Sequence, residues 1–326
     1  MIYKKFSSEK KLNTPEQQRF WQSVEQSHFS RKDGVNIAYC QVLQPDTKQA
    51  IVISNGRVES YIKYQELIFD LFQQGYSIFA LDHRGQGLSD RLTQQPHQGY
   101  VGKFEDYVDD FSHFIEHIVQ PTNHHSLSIM AHSMGGAIAT HYLHKHPTIF
   151  DSAVLSAPMF GIALPFNTKM VLWLAKRLDK TSAITVEGKV TSNYVLGGTD
   201  YNPAPFISNY LTHSKHRYEH YRECYRKHPQ LQLGSPTNHW LIEAINAAES
   251  CAELAKSSPT PILILQASED TIVTNQSQDN ALSAQCHKVV IQGAYHEVFI
   301  ESDKLRNKAL SYAINFIKQH SKTAET

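Results

Sequence analysis

From residue 50 to residue 160, short apolar runs alternate with longer amphipathic stretches. The runs are Ala50-Ile51-Val52-Ile53, Ser77-Ile78-Phe79-Ala80-Leu81, Leu127-Ser128-Ile129-Met130 and Ala153-Val154-Leu155. Each is strand-length and rich in β-branched residues, and the stretches between them are long enough for crossover helices, so the pattern predicts a parallel sheet. Strands this uniformly apolar are covered by helices on both faces, as in a doubly wound sheet. Ahead of them, Val35-Asn36-Ile37-Ala38-Tyr39 reads as an antiparallel edge strand.

After Pro158 the rhythm breaks. Residues 160–240 carry helical stretches, a Gly197-Gly198 pair and prolines at 203, 205, 229 and 236, without strand–helix alternation. The sheet pattern resumes at Pro261-Ile262-Leu263-Ile264-Leu265 and Lys288-Val289-Val290-Ile291, and a helix from about Ser302 to Lys318 closes the chain. Since sheet strands flank the break on both sides, one catalytic domain (1–159 and 241–326) carrying an inserted cap (160–240) fits better than two independent domains.

Nowhere is there a run of about 18 apolar residues, so no segment reads as a membrane-spanning helix. The lysine-bearing N-terminal stretch lacks the apolar core of a secretory leader. A cytoplasmic protein whose membrane contact is peripheral is therefore expected. The 326 residues carry no formal net charge, which argues against a nucleic-acid partner. Charge is nonetheless uneven, with ten basic residues against five acidic ones between Phe160 and Trp240. Cys40, Cys224, Cys251 and Cys286 are scattered without a C-x-x-C pair, so neither a metal site nor a redox motif is expected.

Chemistry enters at Ser128-Ile129-Met130-Ala131-His132-Ser133-Met134-Gly135-Gly136-Ala137, which follows a strand and opens a helix. A nucleophile elbow occupies that place, and its sharp turn needs small residues around the serine. A serine hydroxyl is a weak nucleophile and needs a base, itself oriented by an acid. On such a sheet the acid and then the histidine follow late strands. Ile262–Leu265 leads into Ser268-Glu269-Asp270-Thr271-Ile272-Val273, and the next strand leads into Gly293-Ala294-Tyr295-His296-Glu297. Asp270 is preferred to Glu269 because it sits just ahead of the apolar Ile272-Val273 pair that would seat the next helix. The expected triad is Ser133, Asp270 and His296. Oxyanion donors are expected from the N–H of Met134, directly after the nucleophile, and from that of Arg57 in Ser54-Asn55-Gly56-Arg57-Val58-Glu59. The run Asp82-His83-Arg84-Gly85-Gln86-Gly87 lacks phosphate-loop spacing and reads as a structural loop beside the site.

The segments AHSMGG, LDHRGQGLSDR, ASEDTIV and GAYHE, in that order, resemble the monoglyceride-lipase branch of the α/β-hydrolases. NGRVESYIKYQELIFDLFQQGYSIFALDHRGQGLSDR and, in the insertion, NYLTHSKHRYEHYRECYRKHPQLQLGSPTNHW are similar to the bacterial inner-membrane-associated lysophospholipases, over nearly the whole chain from about residue 20. Two departures stand out: Asn55 replaces a histidine that many relatives carry, and Ala131 replaces the first elbow glycine.

The resemblance implies an α/β-hydrolase fold with an inserted helical cap and hydrolysis of the acyl ester of a lysophospholipid, without metal or organic cofactor. It assigns Ser133 as nucleophile, Asp270 as acid and His296 as base. Phe160, Leu164, Phe166 and Trp173 are candidates for an apolar wall along the acyl chain. Lys169, Lys176, Arg177 and Lys180 are candidates for contact with an anionic bilayer surface. A monoacylglycerol lipase or general carboxylesterase, indifferent to phosphate, is the competing enzymatic reading. A non-catalytic binding protein would lack a triad member, and none is lacking.

Overall fold

The computed structural model describes residues 4–322 apart from 46, 183–184 and 187. Among these, the strands of the main sheet are β1 (Glu25–Ser30), β2 (Asn36–Val42), β3 (Gln49–Ser54), β4 (Ser77–Leu81), β5 (Ser126–His132), β6 (Ser152–Ser156), β9 (Ile262–Ala267) and β10 (Cys286–Ile291). A small antiparallel pair, β7 (Thr185–Val186) and β8 (Lys189–Val190), stands apart from it. The helices are α1 (Pro15–Ser23), α2 (Gln65–Gln73), α3 (Phe104–Phe114), α4 (Met134–Lys145), α5 (Thr168–Leu178), α6 (Lys215–Lys227), α7 (Asn238–Lys256), α8 (Asn275–Asp279) and α9 (Asp303–His320).

Strand order is β1-β2-β4-β3-β5-β6-β9-β10, antiparallel at β1/β2 and β2/β4 and parallel from β4 onward. Successive strand residues point to opposite faces, and in the inner strands β4, β5, β6 and β9 both faces are buried. Val52, Phe79, Leu81, Ile129 and Ile264 pack into a core with α3, α4 and α7. Their neighbours Ile51, Ile53, Ile78, Met130 and Leu265 pack on the other side with α2 and α9. Uniformly apolar strands are the consequence, since neither face meets water; each such side chain contributes roughly 1.5–3 kcal/mol of burial.

One expectation is corrected here. β2 is not the edge, because β1 pairs outside it, with Ser27 opposite Tyr39. The β1 sequence EQSHFS has no apolar run, and an edge strand with one solvated face gives periodicity little to report.

The order places β4 on one side of β3 and β5 on the other, so the chain leaves the two central strands in opposite directions. Loops beyond their carboxyl ends part there and open the crevice where ligands of parallel sheets bind. Ser54 of β3 pairs with Ala131 of β5, which brings the Gly56 turn beside Ser133.

Between β6 and α7 the chain carries α5, β7, β8 and α6 and adds no strand to the main sheet among its described residues. This insertion is tied to the loops at the strands' carboxyl ends: Arg57 Nη2 donates to Gly234 O at 2.6 Å, Tyr225 Oη to Val58 O at 2.9 Å, and Glu297 N–H to Leu211 O at 2.8 Å.

Candidate active site

Ser133 stands between the end of β5 and the first residue of α4, with φ 50° and ψ −116°. An L-residue reaches that conformation only under constraint from its surroundings. Three hydrogen bonds supply some of it: Ser133 N–H donates to Ser156 O at 3.0 Å, and the Ser133 carbonyl accepts from Met159 N–H at 3.0 Å and Gly136 N–H at 2.9 Å. Space for the turn comes from glycine. A Cβ on Gly135 would sit 2.2 Å from the Ser54 carbonyl oxygen, and one on Gly136 would sit 2.7 Å from Pro158 Cβ. Ala131 is buried, and its single methyl serves where the elbow pattern has its first glycine.

The serine side chain does not cap α4. Its Oγ lies 2.9 Å from His296 Nε2, and His296 Nδ1 lies 2.7 Å from Asp270 Oδ2. Since a carboxylate only accepts, Nδ1 carries the proton, leaving Nε2 to accept from the serine hydroxyl. Asp270 Oδ1 takes the N–H groups of Ile272 at 2.8 Å and Val273 at 3.1 Å. Burial alone would raise the Asp270 pKa; the His296 imidazole and these two N–H groups outweigh it and hold the carboxyl below its usual range. Glu269, the neighbouring candidate, has a half-exposed side chain facing His213 instead.

His132, next to the serine, holds its ring 4.7 Å from that of His296, tilted by 56°, and lies 3.2 Å through Nδ1 from Ser156 O. Burial pushes its pKa down to about 4, so no second imidazolium stands beside His296 near neutrality.

On the β3 side, a Cβ on Gly56 would lie 2.9 Å from the His132 ring and 3.3 Å from Ser133 Cβ. Glycine lets this backbone reach the serine. The N–H of Met134 is the first orphan donor of α4. Neither it nor the N–H of Arg57 donates to a protein acceptor among the described residues. The turn is held from the Asp82–Gly87 loop. Gln86 Nε2 donates to Gly56 O at 2.7 Å and Glu59 O at 3.0 Å, and Asn55 Nδ2 reaches Asp82 Oδ1 at 3.1 Å.

Residues 45–303 match the model of the Hydrolase_4 family, serine aminopeptidase S33. The chain belongs to that family. It is 37% identical to lysophospholipase L2 of Escherichia coli K12 over 311 residues, covering 93% of this chain and 90% of the relative. It is 32% identical to the probable lysophospholipase L2 of Haemophilus influenzae, covering 93% and 95%. Among solved structures, a soluble variant of monoglyceride lipase from Saccharomyces cerevisiae superposes with a TM-score of 0.70 at 18% identity, covering 92% of this chain and 95% of that one. The α/β-hydrolase fold is thus shared.

Pattern reading missed a charged cluster beside the triad of this hydrolase. Lys63 Nζ lies 2.8 Å from Glu59 Oε1 and 2.6 Å from Glu297 Oε1, all three side chains buried. Glu59 Oε2 also accepts from Gly56 N–H at 2.6 Å and Tyr64 Oη at 2.7 Å. Burial opposes ionisation of Glu59, yet Lys63, His132 and the Tyr64 hydroxyl hold its pKa below the usual carboxylate range; burial raises that of Glu297. Glu301, also buried, accepts from Tyr295 N–H and Ser302 N–H and pairs with His213 Nδ1 at 2.8 Å, fixing the turn that presents His296. Lone charges within loops carry no periodic signal.

The four apolar candidates are not brought together. Phe160 is buried and, with Leu164, lines a cavity of about 280 Å³ beside Ile245 and Ser277, with no triad member in its wall. Phe166 and Trp173 are 64% and 62% exposed. The reason for Trp173 is the orientation of α5, which packs on α7 and turns Met170, Trp173 and Leu174 outward; Phe166 stands exposed just ahead of the helix.

Proposed function

We propose that this chain hydrolyses the acyl ester of a lysophospholipid through an acyl-enzyme at Ser133. The observation that carries the reading is the continuous path from Ser133 Oγ through His296 to Asp270, at 2.9 and 2.7 Å, on a constrained elbow flanked by two free N–H groups. Ser133 Oγ attacks the acyl carbon while His296 Nε2 takes its proton, and Asp270 stabilises the imidazolium that forms. The N–H groups of Met134 and Arg57 receive the oxyanion, a contribution of the order of 10²–10³ in rate per donor. Collapse returns the proton to the departing glycerol oxygen and leaves an acyl ester on Ser133. Water, deprotonated by the same histidine, then releases the fatty acid. The insertion acts as a cap over this site.

Lysophospholipid, rather than another ester, is favoured by the two lysophospholipase L2 relatives that align along almost the whole chain. A peripheral stance on a membrane is favoured by α5. Met170, Trp173 and Leu174 form an exposed apolar stripe, with Phe166 exposed just ahead of the helix and the exposed Lys169, Lys176, Arg177 and Lys180 around it. Such a face suits the boundary between headgroups and acyl chains. No helix among the described residues is long and apolar enough to cross a membrane.

The test compares kcat/KM for lysophosphatidylethanolamine and monoacylglycerol with the same acyl chain. Preference for the phospholipid supports the reading, and turnover of monoacylglycerol alone ends it. Co-sedimentation with anionic vesicles, abolished by Trp173→Glu, tests the membrane part.

A further inference from the structure

We propose that the cavity of about 310 Å³ between the insertion and the Gly56 turn, walled by Arg57, Lys63, Tyr201, Tyr221, Arg222 and Glu297, binds the glycerophosphoryl headgroup of the substrate, with Arg57 and Arg222 on the phosphate. This rests on the reading of the chain as a lysophospholipase and adds the residues that recognise phosphate.

Unmet hydrogen-bonding capacity is concentrated in this wall. Arg57 Nε, Arg222 Nε, Tyr221 Oη and Glu297 Oε2 are buried without a protein partner among the described residues. Buried polar groups are rarely left so, and four carried by residues of one wall mark a place where a polar ligand, reached by small side-chain shifts, completes the set.

The two guanidinium groups indicate its charge. Arg57 gives Nη2 to Gly234 O and lies 5.1 Å from the centre of the Trp240 ring. Arg222 reaches Tyr201 Oη at 3.3 Å and Tyr218 Oη at 3.0 Å and lies over the rings of Tyr201, Tyr218 and Tyr221. Neither forms an ion pair with a carboxylate among the described residues, whereas Arg84, Arg217 and Arg306 all do. Burial accordingly lowers the pKa of Arg57 to about 10. An anion with two or more acceptor oxygens matches the planar fork of each group.

The carboxylates in the wall indicate the rest. Asp200 already accepts from Tyr194 Oη, and Glu297 Oε1 is matched by Lys63, which leaves Glu297 Oε2 to accept from a ligand hydroxyl or ammonium. A glycerophosphoryl group offers a phosphate and a free glycerol hydroxyl together; a monoacylglycerol offers hydroxyls alone. An acyl chain would leave all four polar atoms unmet. No triad member is in this wall either, but two of its residues adjoin the site in sequence: Arg57 follows the glycine that abuts Ser133, and Glu297 follows His296.

The test uses the full-length protein hydrolysing p-nitrophenyl butyrate, with glycerophosphoethanolamine, inorganic phosphate and glycerol as competing probes. Glycerophosphoethanolamine is expected to inhibit at concentrations at least about tenfold below either of the others. That advantage should vanish in Arg222→Met and return in part in Arg222→Lys. Equal inhibition by glycerol overturns the proposal, and equal inhibition by inorganic phosphate overturns the headgroup assignment. In parallel, the ratio of kcat/KM for lysophosphatidylethanolamine over monoacylglycerol should fall at least about tenfold in Arg222→Met, through KM. If wild type turns over the lysophospholipid and this ratio does not move, the cavity assignment fails while the function stands. If wild type ignores the lysophospholipid yet prefers glycerophosphoethanolamine over the other two probes, the function fails and the cavity assignment stands.

Discussion

Lys63 Nζ sits 2.6 Å from Glu297 Oε1, so an ammonium from the turn after β3 is bonded to the residue next to His296. The two are 234 positions apart in the chain. With Glu59 on its other side, Lys63 ties the Gly56 turn to the histidine loop across the crevice. Removing one member of a buried ionic group leaves the others uncompensated, and that penalty exceeds the net worth of the pair.

Lys63→Met should therefore lower unfolding free energy by about 3–5 kcal/mol. Adding Glu297→Gln in the same chain should recover part of the loss, because one stranded charge goes with it. Denaturant titrations of the two variants check this; a loss under about 1 kcal/mol in Lys63→Met would show the cluster to be solvated.

Ser133→Ala should reduce kcat by about three or more orders of magnitude with no loss of stability. Ser133→Gly should be equally inactive and more stable than Ser133→Ala by about 1 kcal/mol, because glycine relieves the strain of a positive φ. Steady-state kinetics and thermal unfolding of the purified variants read both effects. Retained hydrolysis in either would remove Ser133 from the mechanism.

Gly135→Ala pushes a methyl to 2.2 Å from the Ser54 carbonyl oxygen, a backbone atom of a central strand that has nowhere to move. Destabilisation of about 3 kcal/mol or more is expected. Gly34→Ala meets no atom within 4 Å of the new methyl but sits at φ 84°, so it should show the backbone strain alone, about 1 kcal/mol. Gly135 lies in α4 without a positive φ, so its loss is steric alone, and Gly34→Ala supplies the strain-only contrast.

Two buried histidines should each weaken the fold as pH falls below 6.5, against an opposing contribution from Asp82, whose pKa burial raises to about 6. His132 and His83 are buried, and burial lowers their pKa values to about 4 and about 3. Between those values and 6.5 the unfolded chain binds protons that the native state refuses, so stability rises with pH across that window and falls as pH drops through it. At pH 5 each contributes a loss of about 2 kcal/mol relative to pH 8. Asp270 acts lower down: its depressed pKa adds stability that is complete above the unfolded value of 3.8 and is lost below it. Urea midpoints at pH 8 and pH 5, compared with those of His132→Gln, separate the terms; an unchanged difference in the variant would show that His132 titrates freely.

Legibility in the sequence followed the range of the interactions. Strand–turn–helix at Met130–Gly136 is local, and so are the short loops after β9 and β10 that carry Asp270 and His296, so each could be read from its own neighbourhood. The structure sets Ser133 and Asp270 each within hydrogen-bonding reach of His296. β1 escaped because its partner supplies the order that its polar sequence does not announce. The outward turn of Trp173 escaped for a related reason: an amphipathic pattern says that a helix has two faces, and only packing on α7 decides which face is turned inward.

By itself the sequence determined the layered α/β architecture and the candidate nucleophile, acid and base, since hydrophobic period, glycine spacing and position after a strand are properties of short segments. Only the tertiary structure decided which charges meet. Lys63 with Glu59 and Glu297, Glu301 under the histidine turn, and Arg57 and Arg222 facing a common cavity are partnerships across long separations. An ion pair depends on distance in space, and strand order, not spacing along the chain, sets that distance.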